Sequence, residues 1–465
     1  MIRGVSVVYD DSRKPGRDIA LITGNKSFAQ TIYKRQTLKE RVAEAFLALP
    51  GVEGFYEAGS GEIGSLRDTA VILFFSDFGI ADTKELEIIV YKAGYAHENY
   101  KITHANRIAC VIFKDPNAFF TARKADFDGY TQIECNAFTD LSDIANFRSF
   151  ITGGFDARFF NRLTGDEYTV VKSSPRKEKI RAEYTFWTLL PDDMKQWFAR
   201  PFDYREDGDV ASYSMQRYNM TDLAIRYVHG SISCEEFSDI LKHLLHFLSI
   251  RKSESISQME YEAQAKRLYV SKVHDRVAQL KGIQGYDRIA AYIPALTRYR
   301  DIDEIVTRYD NMYDRMRSTF SFEHVRVVSH GDMCFSNILY SPADSMCILV
   351  DPKGALTSEE LFMDPFYDVA KLSHSVCGLY DLFNSDLYWI GIGDDMLGRV
   401  TVDTDNRRYV EIFRKYLDAA DMDFKLIRLY EASLFLSMLP LHADRPKKVL
   451  GFILNAIAIM DSLEK

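Results

Sequence analysis

Over the first 135 residues the apolar positions follow two different periods. Val5–Val8, Ile19–Thr23, Ala70–Phe75 and Ile108–Phe113 are short, mainly apolar runs, the pattern of strands buried on both faces. Between them, Leu38–Leu49 and Thr83–Ala93 repeat apolar residues at helical spacing. This alternation predicts an α/β domain over residues 1–135.

From about residue 136 the pattern changes. A helix start is predicted at Thr139–Asn146, then an apolar run reaching Gly153-Gly154. Strands at Arg158–Leu163 and Tyr168–Ser173 come next, joined by a tight turn at Thr164-Gly165-Asp166. A charged amphipathic helix over Lys177–Leu190 stops before Pro191. A further strand, Ala211–Arg217, leads into a helical stretch near Thr221–His229. From Cys234 to Phe320, and again after Val369, the period is almost wholly helical. Two apolar strands, Arg326–Ser329 and Cys347–Val350, interrupt it, with the turn residues Ser341, Pro342 and Asp344 between them. No repeat or low-complexity segment is evident.

Length and composition narrow this picture. At 465 residues the chain is expected to hold two or three domains. Its 47% hydrophobic and 27% charged residues are those of a globular protein. A net charge of -9 argues against a nucleic-acid partner, and the basic cluster Arg176, Lys177 and Lys179 reads as a solvated helix face. No apolar run reaches the roughly 18 residues of a membrane span, and MIRGVSVVYDDSRK lacks a signal-peptide core. The six cysteines show no CxxC or zinc-like spacing, so reduced thiols and a cytoplasmic setting are expected. Cys334 has no sequence-adjacent base, which speaks against a nucleophilic role.

Residues 328–354, VSHGDMCFSNILYSPADSMCILVDPKG, carry the candidate chemistry. Asp332, Asn337 and Asp351 fall in a loop, hairpin, loop arrangement. Phosphoryl transfer needs such a set: a carboxylate beside the attacking hydroxyl, then an amide and a second carboxylate to hold Mg2+ against the nucleotide phosphates. In the first domain Gly59-Ser60-Gly61 with Gly64 is too loose for a phosphate loop. Asp77 and Asp82 could bind a metal at a strand end, and helix capping is the favoured alternative.

The chain from about 136 onward resembles the aminoglycoside phosphotransferase and choline kinase family of small-molecule kinases. The resemblance lies in His330-Gly331-Asp332, then Asn337, then Asp351 at a strand end, and in DPFYDVAKLSHSVCGLYD (Asp364 to Asp381). The latter is most similar to members associated with bacterial surface-polysaccharide synthesis. The resemblance implies an α+β, bilobal protein-kinase-like fold, with an antiparallel-sheet lobe at 136–218 and a helical lobe at 219–465, preceded by a separate α/β domain. It implies ATP and Mg2+ as cofactors and a small hydroxyl compound as acceptor, with the oligomeric state left open.

Within that resemblance Asp332 is the catalytic base, Asn337 and Asp351 hold metal, and His330 anchors the loop. Lys172 would meet the α- and β-phosphates with Glu183 as ion-pair partner, Glu178 being the alternative. Gly153 and Gly154 would let backbone amides approach the phosphates, and Gln216 to Tyr218 would receive adenine. Asp364 and Asp368 are expected to brace the catalytic loop. Lys353, in the unusual Pro352-Lys353-Gly354 continuation, either meets an anionic group or points outward. The tyrosines and arginine of 234–320 (Tyr261, Tyr269, Tyr286, Tyr292, Tyr299, Arg300, Tyr309, Tyr313) are expected mostly in the core. Two other readings stay open: a non-catalytic nucleotide-binding module, and a kinase fused to a sugar nucleotidyltransferase. The missing glycine-rich loop makes residues 1–135 a degenerate or unrelated domain in the latter case.

Overall fold

The computed structural model describes residues 3–33, 35–122, 124–152, 162–165 and 168–464. The chain divides into two compact units, 1–156 with 228–231, and 157–227 with 232–465.

The first unit is built on a six-stranded sheet in the order Val52–Glu57, Val5–Asp10, Ala70–Phe75, Arg107–Phe113, Tyr100–His104, Thr131–Glu134. Val5–Asp10 runs parallel to both neighbours, whereas Arg107–Phe113 is antiparallel to both of its own. Every residue of Val5–Asp10 and Ala70–Phe75 is buried, which is why these strands read as continuous apolar runs. The helix Leu38–Leu47 starts at a Thr37/Glu40 capping box, and Thr83–Gly94 starts at Asp82, which accepts from the Lys84 and Glu85 amides. Capping is therefore the role of Asp82. Asp77 instead lies between the guanidinium groups of Arg13 (2.9 Å) and Arg107 (2.6 Å), a place with no need of a metal.

Two sequence expectations change in this unit. Ile19–Thr23 belongs to a helix, Arg17–Thr23, that buries Ile19, Ile22 and Thr23; a five-residue run is too short for its period to separate helix from strand. The boundary at 135 falls inside the unit. Phe138–Asp140, expected at a helix start, pairs antiparallel with Phe78–Ile80, and the next element, Ile144–Thr152, is a helix with Phe147 and Ile151 buried. The apolar run before Gly153-Gly154 is thus helical. Gly153 and Gly154 themselves lie outside the described residues.

The second unit opens with a four-stranded antiparallel sheet in the order Arg162–Gly165, Thr169–Ser174, Val210–Gln216, Pro201–Asp207. The helix Lys177–Leu189 packs Ile180 against Ala211 and Tyr213 of that sheet. Helices make up most of the remainder of the unit, among them Cys234–Ser249, Gln258–Lys266, Lys272–Lys281, Ile302–Arg317, Tyr367–Val376, Phe424–Ser437 and Pro446–Leu463. A sheet part succeeded by a helical part is the arrangement expected of a bilobal unit. One segment departs from the helical reading after Val369: Trp389–Ile392 and Gly398–Thr401 form a hairpin, favoured by the Gly393-Asp394-Asp395 turn chemistry.

Tyr261, Tyr269 and Tyr309 are fully buried, and Tyr269 stacks on Tyr430 at 3.8 Å, so these rings are core. Tyr292 is exposed. Among the described residues no helix is long and apolar enough to cross a membrane.

Candidate active site

The hairpin Ile338–Ser341/Met346–Leu349 sets the spacing of the site. Its register pairs Ile338 with Leu349, and the Val350 amide extends the ladder by donating to the Asn337 carbonyl at 3.0 Å. Asn337 and Asp351 therefore leave the hairpin at the same end. Asp351 takes a left-handed backbone conformation (φ 54), which Asp tolerates better than most residues and which turns the chain sharply after the strand.

The loop carrying Asp332 is tied down on all sides. His330 is fully buried, with its ring stacked on Phe198. Its Nε2–H donates to the Val350 carbonyl (2.9 Å) and its Nδ1 accepts from the Asp332 amide (3.1 Å). Burial pushes its pKa down, and an accepting Nδ1 requires the neutral ring, so His330 anchors the loop as the sequence suggested. The Asn337 side-chain amide donates to the Asp332 carbonyl at 2.8 Å. Asp368, with no exposed surface, accepts from the amides of His330 (3.0 Å) and Gly331 (2.8 Å) and from Arg251 (3.2 Å). Bracing is thus the geometry of Asp368. Asp364 accepts from the Tyr269 hydroxyl (2.8 Å) and the Phe366 amide.

Lys172 joins the sheet to this loop. It is 1% exposed, and its Nζ lies 2.7 Å from Glu183 Oε2 and 2.8 Å from Asp351 Oδ1. Glu183, not Glu178, is the partner, and it is held further by the Tyr213 hydroxyl (3.1 Å) and Lys179 (3.2 Å). Burial works to lower the Lys172 pKa, yet Asp351 and Glu183 outweigh it and the net shift is upward, so the ammonium stays charged. The Asp351 carboxyl is shifted down, burial being outweighed by Lys172.

Gly354 fixes how closely the segment after Asp351 approaches the helix of Glu183. Its φ is +87, a Cβ there would lie 2.9 Å from the Ala182 carbonyl carbon, and the neighbouring Ala355 amide donates to the Ala182 carbonyl at 2.9 Å. Gly354→Ala is expected to cost at least the ~1–2 kcal/mol of a left-handed non-glycine residue, which a thermal melt checks, and to displace Asp351 from Lys172.

Glu183, Pro201, Tyr213, Met215, Leu349 and Asp351 are among the residues that line one cleft of the second unit. Gln216 ends its strand opposite Thr169, next to Met215. The Arg217 amide donates to the Tyr168 carbonyl at 2.8 Å, so within 216–218 that N–H is not open to adenine. Asn337 and Asp351 offer hard oxygen donors that suit Mg2+. Among the described residues no group of three or more His, Cys, Asp or Glu could enclose a metal. A metal at Asn337 and Asp351 would therefore be completed by phosphate oxygens and water, the usual habit of Mg2+.

Sequence reasoning missed two residues here. Lys371, 9% exposed, places its Nζ 2.9 Å from Asp332 Oδ1, and Arg251 neutralises Asp368. A signal for the first existed: Asp368, Lys371 and His374 recur at i, i+3 and i+6 in a helix with no other charged or titratable group but Tyr367, all ten of whose residues are buried. The Cys334 thiol is pushed up by burial, which agrees with its being no nucleophile.

No family model and no curated protein matches this chain. Solved structures similar to it include a thermostable mutant of aminoglycoside phosphotransferase APH(4)-Ia in its apo form (13% identity over 65% of this chain and 94% of that one, TM-score 0.36). Another is the Plasmodium vivax ethanolamine kinase (13% identity, 66% of this chain and 81% of that one, TM-score 0.38). A third is an APH(4)-Ia mutant in ternary complex with AMP-PNP and hygromycin B (11% identity, 68% and 98%, TM-score 0.38).

Proposed function

We propose that the second unit is an ATP- and Mg2+-dependent phosphotransferase that moves the γ-phosphate to a hydroxyl of a small molecule. The observation that carries this reading is the meeting of Lys172 with Glu183 and Asp351. Lys172 and Asp351 lie 179 positions apart in sequence and 2.8 Å apart in space, on the hairpin end that also presents Asn337. A buried lysine between two carboxylates, next to an amide and a loop carboxylate, supplies the parts such a transfer requires.

The residues then divide the work. Lys172 receives the α- and β-phosphates, held in place by Glu183. Asn337 and Asp351 would hold Mg2+, which neutralises phosphate charge when bound. Asp332 accepts the hydroxyl proton as the acceptor oxygen bonds to the γ-phosphorus and the bond from that phosphorus to the β-γ bridging oxygen breaks, leaving ADP. Positioning and charge stabilisation supply most of the acceleration, so an ordinary carboxylate suffices as base. The likeness of Asp364–Asp381 to surface-polysaccharide members makes sugars and sugar alcohols the first acceptors to test.

Purified protein incubated with γ-labelled ATP, Mg2+ and a panel of sugars, polyols and amino-alcohols is expected to yield a labelled acceptor and ADP. Chelating the divalent metal with EDTA should end turnover. Nucleotide binding that raises the melting temperature, with no transfer to any acceptor and no ATP hydrolysis, would instead identify a non-catalytic nucleotide-binding module.

A further inference from the structure

Beside Asp332 the structure gathers more positive charge than the phosphotransfer machinery uses. Lys371 accounts for Asp332 itself. Tyr367, 2% exposed, accepts a hydrogen bond from Lys272 Nζ at 2.7 Å. Burial alone would push the Tyr367 phenol up, but Lys272 and Lys371 outweigh it and its pKa falls below the usual range. Lys353 lays its stem along Gly331, whose Cα would carry a Cβ only 2.7 Å from Lys353 Cδ; Gly331 is left-handed (φ 78) and leaves this space open. Lys272 on Tyr367 and Lys353 on Gly331 are thus two cations of this neighbourhood, and Arg267, whose carbonyl accepts from the Lys272 amide, is the third. Among the described residues none of the three forms an ion pair with a carboxylate, while Asp368 is committed to Arg251 and the loop amides.

A second observation falls at the same place. The helix running from Gln258 to Lys281 is broken by a π-turn at Arg267–Ser271, which contains Arg267 and ends next to Lys272. Single π-turns of this kind widen a helix locally and concentrate at functional sites. Here the turn also presents the Tyr269 hydroxyl to Asp364, locking it to the segment that leads into Tyr367.

We propose that the acceptor carries an oxyanion, a phosphate or a carboxylate, in addition to the hydroxyl it offers to Asp332, and that Lys272, Lys353 and Arg267 receive that group. This rests on the phosphotransferase reading above. An amine-bearing acceptor would meet like charges at the same place and be repelled. Lys371 is a positioning residue: its ammonium, 2.9 Å from Asp332 Oδ1, holds that carboxylate in place while the anionic substrate enters.

The test is a set of matched acceptors assayed with γ-labelled ATP and Mg2+: glycerol with glycerol 3-phosphate and glycerate, ribitol with ribitol 5-phosphate, and ethanolamine as a cation. Transfer is expected to the anionic members, the better of the phosphate and the carboxylate identifying which oxyanion is native. Lys272→Gln and Lys353→Gln should each raise the KM for that acceptor by about tenfold or more, the loss of one charge-assisted hydrogen bond, with a smaller change in kcat. Transfer only to neutral or cationic acceptors would overturn the inference and leave the kinase reading standing. ATP hydrolysis without transfer to any anionic acceptor would also overturn it. Neither transfer nor hydrolysis with any compound would remove the kinase reading, and the inference with it.

Discussion

Asp332→Asn is expected to lower kcat by about 10²–10⁴-fold, the usual contribution of a positioned general base. The amide keeps nearly the shape and one acceptor oxygen of the carboxylate, so the loop anchored by His330, Asn337 and Asp368 should hold its place. The KM for ATP should change little, because Lys172, Glu183 and Asp351 are untouched. The loss therefore falls in the chemical step. Steady-state kinetics with the labelled acceptor, alongside a thermal melt confirming the fold, measures it. Turnover within a few-fold of the native enzyme would remove Asp332 from the role of base. Lys371→Met sharpens the point: it takes away the cation 2.9 Å from Asp332, so kcat should fall while the KM for ATP changes little.

Much of this site was legible because its parts are short-range in sequence. Asp332, Asn337 and Asp351 lie within one loop and hairpin, where turn residues and strand length fix the spacing. Lys172 was legible for a different reason, the resemblance of its place at the end of the strand TVVKSS to the phosphate-binding lysine of small-molecule kinases. The choice of Glu183 over Glu178 was not, since both sit on one helix and only packing against Tyr213 and the sheet decides which faces inward. Lys371 and Arg251 act through space on residues 39 and 117 positions away, respectively; the charged positions of its helix mark Lys371, but nothing local names the partner of either. In the first unit the strands Val5–Asp10 and Ala70–Phe75 read correctly from full burial, whereas the Arg17–Thr23 helix was too short to declare its period. The division near 135 failed because Phe138–Asp140 is held by a partner strand 60 residues upstream.

Arg251→Met is expected to destabilise the second unit by about 3–5 kcal/mol, the cost of leaving a buried charge without its partner. Arg251 is 7% exposed and Asp368 has no exposed surface, so water cannot make good the loss. The substitution also removes the bonds from Arg251 to the carbonyls of Pro365 (2.9 Å) and Leu248 (3.1 Å). Asp368→Asn should cost a similar amount by stranding Arg251, and its side-chain NH2 would confront at least one of the amides that now point at a carboxylate. The double variant removes both charges at once and is expected to be less destabilised than the sum of the two, the mark of a coupled buried pair. Urea unfolding monitored by tryptophan fluorescence measures this in the right place, because all three tryptophans, Trp187, Trp197 and Trp389, lie in the second unit. Additive costs, or single-variant costs below about 1 kcal/mol, would show the pair to be incidental. The same bonds place Asp332, since the His330 and Gly331 amides that Asp368 accepts immediately precede it. Under conditions where Asp368→Asn remains folded, kcat should therefore still fall by about 10²-fold, the effect of moving a reacting group by roughly an ångström.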